Sequence, residues 1–210
     1  AWSHGHKQDY RFVGAAFACE RYDVAIINYH LAPTHIFPTS VDDLALALNY
    51  LHAQQQQLEI VTQNIILMGH SAGAFNVMSV LYSAQAYDLA CREQIRALIG
   101  LAGPYHFDYK DDPLCADAFD QHIHYAQVMP YYFVEKNAVR HYLFVAANDK
   151  IVHPNNALDF DRALKAIGNR SEIINIARTG HISLMGSVAR LFSRYFSTKK
   201  QILAALERAL

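Results

Sequence analysis

The run Ile65-Ile66-Leu67-Met68-Gly69-His70-Ser71-Ala72-Gly73 decides how this chain is read. Its apolar start, Ile65 to Met68, is strand-like, and the stretch Ala74 to Ala86 that follows is helix-like. A strand, a sharp turn and a helix, with Ser71 at the tip of the turn, is the arrangement of a nucleophile elbow. The expectation is that Gly69 and Gly73 are both required, because a Cβ at either would clash with the neighbouring strand or helix. Ser71 would also lie close to a helix N-terminus, where backbone N–H groups favour negative charge.

Outward from the elbow, apolar strand-like runs alternate with helical patterns. That alternation predicts an α/β architecture, a parallel sheet with helices on both faces. Strands are expected at Val24 to Tyr29, Asn64 to Met68, Ile95 to Leu101, His141 to Ala147 and Glu172 to Ala177. Helices are expected over Lys7 to Arg21, from an N-cap at Ser40 with Asp43 three residues on through about His52, over Pro154 to Ile167, and over most of the chain from Ser183. Residues Pro104 to Arg140 break the alternation and are rich in Tyr, Phe, His and Asp. A long irregular segment of this kind is expected as a cap over the C-terminal strand ends, within a single domain spanning residues 1–210.

A serine hydroxyl needs a base within hydrogen-bond reach, and the base needs an orienting carboxylate. In folds built around such an elbow the partners follow in the order Ser, Asp or Glu, His, each after a strand. Asp149, in A-N-D-K-I-V-H-P, and His181, in R-T-G-H-I-S-L, stand after the right two strands. Asp108, Asp111, Asp112 and His153 are rivals by composition but lie in the irregular segment or beyond the turn. Taken alone, Asp149 also reads as a turn residue and His181 as a loop or core histidine. One oxyanion donor would be the N–H of Ala72, and the others would come from a Gly-rich loop that is incomplete here.

Composition narrows the field. Of 210 residues, 52% are apolar and 18% charged, with 18 basic and 19 acidic side chains, so the chain is globular and carries no nucleic-acid footprint. No apolar run reaches the roughly 18 residues of a membrane span. The three cysteines are scattered, which suggests neither a disulfide framework nor a zinc site and is compatible with a reducing, cytoplasmic setting. The twelve histidines include the pairs His4/His6 and His122/His124, which lack acidic or Cys partners at ligand spacing. No metal or organic cofactor is expected.

With these residues in view, the chain resembles the α/β-hydrolase superfamily, in particular the carboxylesterases related to hormone-sensitive lipase and the arylformamidases. N-Y-H-L-A-P, F-P and V-D-D are similar to that group's Y-R-L-A-P, F-P and D signature, and G-H-S-A-G-A, L-A-G-P-Y, N-D-K-I-V-H-P-N-N and G-H-I-S-L align in order. The resemblance implies a serine hydrolase acting on a small-molecule carboxylic ester through an acyl-enzyme. Alternatives are an arylformamidase and a non-catalytic binding protein on the same fold. It implies Ser71 as nucleophile, His181 as base and Asp149 as its orienting partner. Oxyanion donors would be at Ala72 and Ala1, with substrate contacts at Trp2, His70, Tyr105 and Ile182. Phe107, Tyr131, Tyr132 and Phe133 are further pocket-wall candidates, and Asp42 would support the floor. The group's His-Gly-Gly motif is absent, so the chain reads as lacking N-terminal strands and part of the oxyanion hole. The sheet edge this exposes is expected to favour a homodimer or aggregation. His106 and His30 stand where relatives commonly carry Asp and Arg.

Overall fold

Parallel strands covered on both faces need apolar side chains at successive positions. Such runs make up most of β1 (Ile65–His70), β2 (Ile95–Leu101) and β3 (Arg140–Ala146), and the more polar edge strand β4 (Arg170–Ile176) joins them, in a computed structural model that describes residues 2–210. The four strands make one sheet in the order β1-β2-β3-β4, every pair parallel. The helices are α1 (Arg11–Ala18), α2 (Thr39–Ala53), α3 (Ala72–Ser79), α4 (Asn155–Ala166), α5 (His181–Gly186) and α6 (Thr198–Ala209).

The two-residue period of a strand sorts the core into two layers. Leu67, Leu98, Leu143 and Val145 face α2, α3 and α4 through Val41, Val77 and Phe160. Ala97, Ile99, Phe144 and Ile174 face α1 and α6 through Val13, Phe17 and Ile202. A third cluster joins Trp2, Phe75 of α3, Tyr109 and Phe119, so that the irregular segment 104–140, which carries only three short 3₁₀ turns, packs against α3. One buried amide ties this region together: Asn76 Oδ1 accepts from Trp2 Nε1 and from Ser40 Oγ, both at 3.1 Å.

Several expectations are corrected. Val24 to Tyr29 has no ladder partner among the described residues, so the sheet has four strands and not five. That stretch is tethered by side chains instead: Asp23 accepts from Val61 N–H and Asn28 accepts from Lys7 N–H. The first helix is split into a 3₁₀ turn, Lys7–Tyr10, and α1, which stops before Arg21 at φ 69°. Ser40 is no cap. The helix starts one residue earlier, Ser40 points inward to Asn76, and Asp43 accepts from the backbone N–H of His30 while facing its ring. Helix α3 ends at Ser79, well short of Ala86, where Ser83 Oγ turns to the backbone carbonyl of Gln85.

His141 is a buried polar group whose bonds fix its tautomer. Its Nδ1 meets the Arg170 carbonyl at 3.0 Å, and a carbonyl only accepts, so Nδ1 carries the proton. Nε2 then accepts from Tyr82 Oη at 2.7 Å, and Tyr82 in turn accepts from Asn137 Nδ2. Burial pulls the imidazole down from its ordinary 6.5 to about 4.

Two predictions follow from this packing. A Cβ on Gly69 would lie 2.1 Å from the Gly73 carbonyl oxygen, whereas a Cβ on Gly73 would meet nothing within 4 Å, so only the first glycine is sterically required. Gly69→Ala should therefore cost about 3 kcal/mol or prevent folding, while Gly73→Ala should stabilise by up to about 1 kcal/mol in urea unfolding. For His141, the unfolded chain takes up a proton near 6.5 and the folded chain only near 4, so stability is full above pH 6.5 and is lost as pH falls through that window. Its share of the loss between pH 7.5 and pH 5 should be about 2 kcal/mol, and His141→Gln should flatten the measured slope by that amount.

Candidate active site

Because all four strands are parallel, the residues after β1, β3 and β4 emerge at one rim of the sheet. Ser71 follows β1 directly, at φ 55° and ψ −120°, a conformation that costs a non-glycine residue about 1–3 kcal/mol. The turn is held from three sides. Ser71 N–H donates to the Leu101 carbonyl at 2.9 Å, the Ser71 carbonyl accepts from Ala74 N–H at 2.9 Å, and Gly69 lets β1 pass against Gly73. Its side chain therefore projects beyond the sheet, while the N–H of Ala72, the first residue of α3, has no intrahelical acceptor.

Asp149 and His181 reach the same point from β3 and β4. Asn148 N–H donates to the Thr179 carbonyl at 2.8 Å, which clamps the two loops together. His181 Nδ1 lies 2.8 Å from Asp149 Oδ2, and His181 Nε2 lies 2.8 Å from Ser71 Oγ. An ionised carboxylate only accepts, so Nδ1 carries the proton and Nε2 is left to accept from the serine hydroxyl. The second carboxylate oxygen, Oδ1, accepts from Ile151 N–H at 2.8 Å and Val152 N–H at 2.9 Å. These bonds let a carboxylate sit beside an imidazole with side chains only 2% and 9% exposed, a burial that an unpaired charge would not tolerate.

His70, in the elbow itself, makes a contact that spacing alone does not reveal. Its Nε2 donates to the backbone carbonyl of His181 at 2.9 Å, and the two rings are 4.9 Å apart. Burial is the main reason that its pKa is lowered to about 4, so it is neutral at pH 7. His70 Nε2 is thus engaged with the backbone that carries His181.

The other candidates are placed as follows. Trp2 and Tyr105 are core side chains. Trp2 packs edge-on against Phe75 and Phe119, and Tyr105 stacks on Phe160 with its hydroxyl crowded between Gly100 and Gly103. Ile182, by contrast, is exposed beside His181. The oxyanion candidate Ala1 lies outside the described residues. The rival carboxylates form local turns, Asp108 accepting from Lys110 N–H and Asp112 from Leu114 N–H, while His153 Nδ1 accepts from Asn155 N–H. His106 stacks on Tyr131 at 3.9 Å and meets Asp159 and Tyr132 at 3.0 and 3.1 Å. Among the described residues no group of three or more His, Cys, Asp or Glu side chains converges on a metal position.

Comparison with known proteins agrees with this architecture. The BD-FAE family model matches residues 1–164, a span that includes the elbow and the Asp149 turn. No curated protein matches the chain in sequence. Among solved structures, Francisella virulence factor BioJ superposes with a TM-score of 0.78 at 17% identity, covering 99% of this chain and 73% of its own. A propionate-bound esterase from Thermogutta terrifontis gives 0.72 at 18% identity, covering 93% and 78%. An esterase/lipase from an uncultured bacterium gives 0.71 at 20% identity, covering 92% and 69%. With a family model across most of its length and the same sheet in these neighbours, the chain belongs to the BD-FAE family and has the α/β-hydrolase fold.

Proposed function

We propose that this protein is a serine hydrolase of the carboxylesterase type that cleaves small esters through an acyl-enzyme. The observation that carries the reading is the line of two 2.8 Å contacts from Ser71 Oγ through His181 to Asp149, set on a strained turn at a helix N-terminus. The esterases among the structural neighbours support it, and the Thermogutta enzyme, solved with propionate and with butyrate, suggests short acyl groups as first substrates.

In this reading Ser71 Oγ attacks the acyl carbon as its proton passes to His181 Nε2. The carbonyl oxygen gains negative charge and takes a hydrogen bond from Ala72 N–H, which no intrahelical acceptor claims. Collapse of the tetrahedral intermediate breaks the ester C–O bond, and the leaving alcohol takes the proton from His181 Nε2. Water then repeats the sequence on the acyl-serine, releasing the acid and restoring the hydroxyl. Asp149 keeps its negative charge throughout, holds the Nδ1–H tautomer and stabilises the imidazolium. The segment 104–140 would wall the site over the strand ends, and Ile182 would border the substrate. His70 is assigned as a positioning residue that holds the His181 backbone through its carbonyl.

Fluorophosphonate labelling mapped by mass spectrometry should modify Ser71 alone, and Ser71→Ala should abolish labelling. The same substitution should lower turnover of a p-nitrophenyl ester of a short acid by roughly 10⁴-fold or more, and Asp149→Asn by about 10⁴-fold. A folded sample that takes no label would overturn the reading. His70→Phe, which removes the N–H held by the His181 carbonyl, should lower kcat about 10-fold with KM little changed, and His70→Gln should recover part of the loss.

A further inference from the structure

We propose that the rim beside His181 is a docking surface for an anionic lipid interface, so that the site receives esters presented at such a surface. The starting point is where large apolar side chains are left exposed. Ile151 is 51% exposed and Ile182 76%, and both flank one carboxylate, because Asp149 accepts from Ile151 N–H through Oδ1 and faces His181 through Oδ2. Leu191 at 64%, Phe192 at 50% and Tyr195 at 59% follow on the turns after α5. This part of the chain has its own core face, since Leu184, Met185 and Val188 are buried beneath it. The outward residues of such an amphipathic stretch are ordinarily polar. Here Ile182, Leu191, Phe192 and Tyr195 are among them, and a side-chain bond ties the stretch to the loop before His181: Arg178 Nη2 donates to the Tyr195 carbonyl at 3.1 Å.

The charge of this rim points to its occupant. The protein as a whole has a net charge of −1, yet residues 173–206 contain no Asp or Glu. Lys150, Arg178, Arg190 and Arg194 are all exposed around the apolar residues. Two of these cations lie over aromatic rings, Arg194 at 4.8 Å from the Tyr195 centroid and Arg178 at 5.9 Å from that of Phe196. The acid-rich stretch Asp108 to Asp120 packs through Tyr109 and Phe119 onto Trp2 and Phe75. Arginines interleaved with Leu, Ile, Phe and Tyr fit the boundary of an anionic membrane, where the cations meet headgroups and the apolar side chains reach the acyl region. Among the described residues no helix is long and apolar enough to cross a membrane.

That docked esters reach Ser71 rests on the nucleophile proposed above; the docking itself does not. The Ser71→Ala protein is therefore sedimented with phosphatidylcholine vesicles and with equimolar phosphatidylcholine and phosphatidylglycerol vesicles. It should partition onto the second at low salt and come off as salt is raised. Adding Arg190→Gln with Arg194→Gln should weaken that partition about 30-fold, and adding Leu191→Asp with Phe192→Asp at least about 10-fold. With Ser71 restored, both pairs should hydrolyse a soluble ester at the parent rate, which controls for folding. Failure to bind either vesicle, or binding that neither pair weakens, would overturn the proposal. Binding to soluble polyglutamate in place of vesicles would also overturn it and assign the rim to an acidic protein. Vesicle binding is read without turnover, so it can fail while the nucleophile stands, and the nucleophile can fail while the docking stands.

Discussion

At Gly69 the backbone of β1 passes so close to Gly73 that a methyl group would fall within 2.1 Å of a carbonyl oxygen. The rest of the site depends on this approach. It turns the chain from strand to helix within one residue, which forces Ser71 into a left-handed conformation. The cost of that conformation, about 1–3 kcal/mol, is offset by the bond to Leu101 and by the burial of α3 behind it. A looser turn would carry the serine away from the sheet rim and from the histidine that arrives there from β4.

The second constraint is electrostatic. Asp149 and His181 are more than thirty residues apart and nearly excluded from water, so the carboxylate needs several donors to remain charged. It finds them in two backbone N–H groups of its own turn and in the imidazole. The backbone bond between Asn148 and Thr179 closes the two loops on each other, and His70 holds the far side of His181. Fold stability and site geometry thus share the same bonds. Burial also lowers the pKa of His70, and it does the same for His141, which bonds apart from the site to Tyr82 and the Arg170 carbonyl.

Outside the rim, departures from the resembling group have local consequences. His30, where an arginine is common, is half of an exposed pair with Asp43, and His106 joins Tyr131, Tyr132 and Asp159 in an aromatic cluster on the irregular segment. Neither touches the Ser71–His181–Asp149 line. The surface that does adjoin it, from Ile182 to Tyr195, is unusual in chemistry rather than in backbone, with apolar side chains and arginines where a solvated helix would carry mixed charge.

By itself the sequence determined the parallel sheet, the strand, turn and helix around Ser71 and the order in which Ser71, Asp149 and His181 arrive. These are written in local terms: apolar runs of strand length, a glycine at a close approach, and polar residues just past strand ends. The tertiary structure decided what pairing and burial decide. Val24 to Tyr29 has a strand's composition but no ladder, because a ladder needs a neighbour's free backbone edge, and composition does not report one. Gly73 reads like Gly69 in the motif, yet only one of the two faces another backbone. That Trp2 and Tyr105 are buried, each among side chains from distant segments, is likewise decided by the tertiary structure. His70 Nε2 bonds to a backbone carbonyl more than a hundred residues away, and that contact exists only because two parallel strands end at the same rim.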